Sequence, residues 1–193
     1  MGVMDDAETV HPAAAAAWGA WLEAHHADSS GVWLRIDDRT APGDEVLSYE
    51  NAVLEALCWG WIDGQARSHG LEGSRIWFSP RRARSGWAAS NKARLERLLA
   101  EDRMRAPGLA VVEQARANGM WEVLDGPEAL VEPEVLASAL DATPAARDFW
   151  DALPASARKY TLTQVAMAQR DETKAARVAR IVQRCAAGER PDR

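Results

Sequence analysis

Cysteine is almost missing from this chain: Cys58 and Cys185 are the only two in 193 residues. Two cysteines cannot build a disulfide scaffold or a cysteine-cluster zinc site. Histidine is scarce as well, and His11, His25, His26 and His69 form neither a HExxH motif nor a His-x3-His pair. No metal and no cofactor is therefore expected. The sequence holds no G-x-S-x-G, no GxxxxGK[ST], no GxGxxG and no CxxC, so serine-nucleophile, Walker-type, dinucleotide and thioredoxin-like chemistry all lack a basis. No apolar run approaches the 18 or so residues of a membrane span. The opening Met1-Gly-Val-Met-Asp-Asp-Ala-Glu8 is acidic where a secretory signal is basic, and the Ala13–Ala17 run leads into Trp18, Trp21 and Glu23. The expected location is cytoplasmic.

What is present is an ordinary globular composition, 47% apolar and 27% charged. A chain of this length suits one compact domain or a domain with a helical appendage, and buries roughly 70% of its unfolded surface. Charge is uneven: residues 1–73 carry a net −10, residues 74–105 a net +6 and residues 106–193 a net −2. A pI near 5.3 disfavours nucleic-acid binding. Tryptophan is the main aromatic, nine against four Phe and Tyr together, and seven of the nine lie between Trp18 and Trp87. Indoles build cores, and beside arginine they also build ligand clefts.

Local patterns predict an α+β fold. His11-Pro12 opens a first helix ending near His25-His26, and Val32–Ile36 reads as a strand. Asp37 to Glu45 is a loop. Ser48 caps a second helix, with Asn51 as its partner, and Gly60 ends it. Segments 61–68 and 74–79 form a hairpin, with Gly70 and Gly73 bracketing its turn and Pro80 closing it. Ser85 or Ser90 caps a helix reaching about Asp102, and Pro107 starts another, ended by Asn118-Gly119. Gly126 to Pro133 is a loop. Helices then begin at Pro133, Pro144, Pro154 and Asp171. The expectation is a small antiparallel sheet of about three strands packed with helices over residues 1–125, followed by a C-terminal all-helical bundle over 126–193.

The chemistry-bearing window runs from Ala56 to Lys92. On a strand starting at Trp61, residues Trp61, Asp63 and Gln65 share a face, while Arg75, Trp77 and Ser79 share one on the hairpin partner. Register decides whether those faces coincide. If they do, Asp63, Gln65, Arg67, Arg75 and Arg81 crowd one polar edge lined by tryptophan. The candidate ligand-binding residues are Trp59, Trp61, Asp63, Gln65, Arg67, Trp77, Ser79, Arg81, Arg82, Ser85, Trp87, Asn91, Lys92 and Trp121. Asp63 is the candidate general base, with ion-pair partner as its plainer role. Cys58 and Cys185 read as structural.

The same window resembles the bacteriocin-protection family, also called YdeI/OmpD-associated. The matching pieces are Leu47-Ser-Tyr-Glu50, the Ala56–Gly64 run, Phe78-Ser-Pro-Arg-Arg82, Ser85-x-Trp87, Asn91-Lys92, Arg103-Met104, Pro107-Gly108-Leu109 and Gly119-x-Trp121. Toward the C-terminus they are Ala145-Ala-Arg-Asp-Phe-Trp150, Leu153 to Tyr160 and Glu172 to Arg180, so the resemblance spans roughly 11–190. It implies a link to tolerance of bacteriocins and cationic antimicrobial peptides, and carries over no catalytic residue. The family commonly has Phe where Trp59 stands and Ser where Ala88 stands, so no role for a hydroxyl at 88 transfers. The periplasmic location suggested for the family conflicts with this N-terminus. Two functions follow: a protective module binding a cationic peptide by opposite charge and aromatic burial, or a small enzyme or binder of an anionic small molecule using an Asp/Arg/Trp cleft.

Overall fold

The computed structural model describes Met4 and residues 7–36, 47–68 and 74–192. The chain divides into two compact units, residues 1–85 with 92–117, and residues 86–91 with 118–193. The expected loop at 37–45 and the Gly70–Gly73 turn lie outside the described residues.

The first unit is α+β. Its described elements are β1 (Thr9–Val10), α1 (Ala15–His25), β2 (Val32–Ile36), α2 (Tyr49–Cys58), β3 (Trp61–Ser68), β4 (Ser74–Pro80), most of α3 (Ala89–Ala100) and α4 (Ala106–Ala117). The sheet has four strands in the order β1-β2-β4-β3, so the expectation of about three antiparallel strands is corrected in number. The extra strand, β1, pairs parallel to β2, and at two residues it is too short for any alternation to register in sequence. The β3–β4 hairpin is present and antiparallel. Pro80 is the last residue of β4 rather than its terminator.

α1 begins at Ala15, three residues after Pro12, buries Trp18 and Leu22, and sets Trp21 edge-on to Trp61 of β3. Trp18 meets Phe78 edge-on at 5.6 Å and donates its indole N–H to Ala52 O at 3.1 Å, which ties α1 to α2. Ser48 caps α2 as its sequence predicts, its hydroxyl accepting the Asn51 N–H at 3.1 Å. Gly60, at φ 76°, turns the chain out of α2 into β3 in a conformation that disfavours any Cβ. α4 then packs against the end of α2 through Gly108. A Cβ there would stand 2.4 Å from Cys58 O and 2.7 Å from Leu57 O. Beside it, the Arg105 N–H donates to Cys58 O at 3.1 Å.

The second unit is helical: α5 (Asp125–Glu128), α6 (Glu134–Asp141), α7 (Pro144–Asp151), α8 (Ala155–Ala166) and α9 (Asp171–Ala186), with the first residues of α3. α5 occupies part of the span expected to be a loop. Pro144 sits inside the first turn of α7, whereas Pro133 and Pro154 are the N-cap residues of α6 and α8. Neither Ser85 nor Ser90 caps α3: the helix starts at Ala89, and the Ala89 N–H is taken by Glu128 Oε2 at 2.8 Å. The core gathers Leu136, Leu140, Trp150, Leu162, Val165, Ile181 and Cys185. Trp150 is buried there with its N–H donated to Glu132 Oε1 at 2.7 Å. Arg147 braces the same carboxylate at 3.0 Å and bonds Asp141 at 2.9 Å.

Candidate functional site

The hairpin register decides which of the predicted residues meet. Asp63 lies opposite Phe78 and Trp61 opposite Pro80, but after a bulge between Asp63 and Ala66 the pairs are Ala66 with Ile76 and Arg67 with Arg75. Opposed residues share a face. The bulge inserts one residue into β3 and reverses the alternation there. Trp61 and Asp63 therefore stand with Phe78 on the face that α1 covers, while Arg67 joins Arg75, Trp77 and Ser79 on the other. The single polar edge of Asp63, Gln65, Arg67, Arg75 and Arg81 does not form. Gln65 is an exposed residue of the bulge.

On the first face, Tyr49, at the start of α2, donates its hydroxyl to Asp63 Oδ2 at 2.7 Å. Burial, then the hydrogen bond and charge of Asp63, push the Tyr49 phenol up to about 12, so it remains a donor. The next residue, Glu50, receives two hydrogen bonds from Arg94 Nε, at 3.0 and 3.1 Å, and one from Nη2 at 2.6 Å. The Arg94 hydrogen bond is the main reason that the Glu50 carboxyl lies below its ordinary value. Arg81, only 7% exposed, donates its backbone N–H to Gly60 O at 2.9 Å. Burial lowers its guanidinium to about 10, against the favourable charge of Asp63, and it stays protonated at neutral pH. Trp61 is 1% exposed, sits edge-on to Trp21 at 5.8 Å and gives its N–H to His26 O at 3.2 Å. It is core with a satisfied donor. Tyr49, Glu50 and Arg94 were not among the predicted residues. Tyr49 and Glu50 have a trace in the Leu47-Ser-Tyr-Glu50 piece of the family resemblance and in their place directly after the Ser48 cap, and Arg94 has none.

The second face carries an aromatic and cationic cluster. Trp33 and Trp77, opposite each other on β2 and β4, meet edge-on at 5.4 Å, and both are buried. Arg67 and Arg75 place their guanidinium carbons 5.0 and 4.7 Å from the Trp33 ring centroid. Arg35 pairs with Arg75, which pairs with Arg67, so three cations stand side by side across three strands. Like charges directly opposite repel, and the indole beneath two of them offsets part of that repulsion.

The remaining predicted residues disperse. Arg82 is exposed and Ser85 half-buried in the segment after β4, and Lys92 is half-buried in α3. Trp59 meets His26 at 4.5 Å with the rings tilted by 39°, and lines a cavity of about 300 Å3 with Glu23, Glu55, Arg103 and Arg105. Glu55 and Arg103 form an ion pair inside it. Trp87, Asn91 and Trp121 belong to the second unit, where Trp87 is buried against Trp121 at 5.1 Å and donates its backbone N–H to Met120 O at 3.1 Å. Among the described residues, no cluster of three His, Cys, Asp or Glu could hold a metal, and no helix is long and apolar enough to cross a membrane.

The second unit also holds two apolar grooves that meet at Lys174. One, of about 480 Å3, has Val135 and Ala139 of α6 facing Asp171, Ala175, Val178 and Ala179 of α9. The other, of about 220 Å3, is lined by Val123, Pro127, Val131, Pro133, Leu162 and Val165 among others. Val131 is 59% and Val135 54% exposed, unusual for valines that neighbour a core. The carboxylates of Asp171 and its neighbour Glu172, and of Glu134 beside Val135, are exposed at the helix starts.

Two family matches divide the chain. Residues 10–111 match a family described as a domain of unknown function, DUF8412. Residues 129–188 match the bacteriocin-protection, YdeI or OmpD-associated family. The resemblance read from motifs over 11–190 thus rests, in this comparison, on the C-terminal residues, while the Ala56–Gly64 run and Ser79-Pro-Arg-Arg82 fall in the other family. No curated protein and no solved structure matches the chain. Residues 129–188 are similar to the bacteriocin-protection, YdeI or OmpD-associated family, and because the first match covers more than half of the chain's length, the chain belongs to the DUF8412 family.

Proposed function

We propose that the protein is a binding protein for cationic, amphipathic peptides, and that it takes up their apolar side chains in the grooves on either side of Lys174. One observation carries the reading: both grooves are built from residues in or next to the segment that matches the bacteriocin-protection family. An amphipathic helix lays apolar anchors at i, i+3 and i+4 into such a groove. Val135, Ala139, Ala175, Val178 and Ala179 supply the apolar floor, and Glu134, Asp171 and Glu172 place three carboxylates where the cationic face of the peptide would lie. The reading needs no bond to be made or broken. Burial of Trp61 and Trp77 favours it over a small-molecule cleft walled by indoles at Asp63.

The test is calorimetry of the full chain against a synthetic Lys/Leu amphipathic helix at low and moderate salt. Saturable binding that weakens as salt rises is expected. Val135→Ser, a neutral change at an exposed position whose fold is checked by circular dichroism, should weaken binding about tenfold or more, since it removes an apolar anchor worth roughly 1.5 kcal/mol. An unchanged affinity in that variant, or no binding at low salt, rejects the groove as the site.

A further inference from the structure

We infer that a second site, on the opposite flank of α9, binds a phosphoryl group. Arg177, Arg180 and Arg184 follow one another at spacings of three and four along α9, which places them on one stripe of the helix. They line a cavity of about 190 Å3 together with Tyr160, Gln164 and Ile181. Like charges at these spacings repel within the helix. Arg177 and Arg184 are half-buried in the wall of that cavity, and Arg180 lines it while remaining exposed. Arg177 is fixed by donating to Gln164 O, and Arg184 lies 3.4 Å from Glu189. Asp192, the acid on the cavity wall, is engaged by Arg190 at 2.9 and 2.7 Å, so it does little to cancel the positive field. Among the described residues no hydrogen bond or ion pair holds Arg180.

The chemistry selects the ligand. One carboxylate satisfies one forked guanidinium, whereas a phosphate monoester offers three terminal oxygens and close to two negative charges. Three arginines lining one small cavity match the second. The Tyr160 ring, 53% exposed, forms the apolar lip on which the ester substituent would rest. This site is independent of the peptide grooves, which use Asp171, Lys174, Ala175, Val178 and Ala179 of the same helix.

The experiment titrates the full chain with inorganic phosphate at constant ionic strength, and in a second arm with vesicles of phosphatidylcholine with or without phosphatidic acid. One saturable site is expected, weakened at least tenfold in Arg180→Gln and unchanged in Arg84→Gln, an exposed arginine of the first unit. Arg180-dependent binding to phosphatidic acid vesicles alone assigns the site to a lipid headgroup, and Arg180-dependent binding to free phosphate assigns it to a soluble phosphate ester. Both outcomes support the site. Absence of binding in both arms overturns it, as does equal weakening by the two substitutions, which would mark a diffuse electrostatic attraction.

Discussion

Replacing Gly108 with alanine should destabilise the first unit, although the same change in most helices does the reverse. Gly108 lies in α4, where alanine is favoured over glycine by about 1 kcal/mol. Here the new Cβ would stand 2.4 Å from Cys58 O and 2.7 Å from Leu57 O, against an ordinary contact of 3.4–4 Å. Both neighbours are backbone atoms at the end of α2 and cannot swing aside as a flexible side chain can. α4 would have to withdraw by about 1 Å, and overpacking of this kind costs about 1–3 kcal/mol. The withdrawal also stretches the Arg105 N–H to Cys58 O hydrogen bond, worth about 1 kcal/mol. Set against the helix-propensity gain, the net loss is about 2 kcal/mol. Gly126→Ala is the contrast: its nearest neighbour is Val131 O at 3.9 Å, so that variant should be neutral or slightly stabilised. Urea unfolding followed by tryptophan fluorescence reads both, with an unchanged slope confirming that the native packing alone has altered. A Gly108→Ala protein as stable as the parent would refute the close approach of α4 to α2.

The two thiols should be inert in the folded protein. Burial, and after it the charge of Glu55, pushes Cys58 up to about 11, so about one part in a thousand is thiolate at pH 8, and burial also raises Cys185. Iodoacetamide at pH 8 should label neither until denaturant is added, and rapid labelling of one thiol in the native state would contradict the packing. Acid should loosen the second unit through Glu132. Burial raises its carboxyl, but hydrogen bonds from Arg147 and Trp150 outweigh that and hold it below its ordinary 4.5. A carboxyl depressed by folding contributes stability that is complete above its unfolded value and fades as pH falls through 4.5 toward the folded one. Urea midpoints at pH 7 and 3.5 should therefore differ more for the parent than for Glu132→Gln, and identical pH slopes would exclude Glu132 as a source.

The sequence announces those features whose cause is local. The Ser48 cap, the β-branched and aromatic strands of the hairpin, and the proline-led starts of α6, α7 and α8 all follow from residues adjacent along the chain. The faces of β3 do not, because a bulge of one residue at 64–65 reverses which side Arg67 occupies, and its only local sign is a glycine within a strand pattern. The role of the indoles is equally hidden. Trp18, Trp33 and Trp61 find their N–H acceptors at Ala52, Met4 and His26, each at least 29 residues away in the chain. A tryptophan beside an arginine reads the same in sequence whether it walls a cleft or fills a core. The Tyr49–Asp63 pair and the grooves around Lys174 arise only when separate elements meet, so no spacing marks them.

The path of the chain through the two units has a bearing on ancestry. Gly86–Asn91 folds with the C-terminal helices, yet the residues on either side of it fold with the sheet. Trp87 and the amide of Ala89 are thus donated to a neighbouring body by a stretch inside the DUF8412 match. Such threading resists shuffling: a gene fusion that joined the two families end to end would yield halves already missing, or already burdened with, this short loan. Proteolytic fragments 1–117 and 118–193, which part Trp87 and Ala89 from Met120, Trp121 and Glu128, should be soluble when mixed only as a reassociated pair.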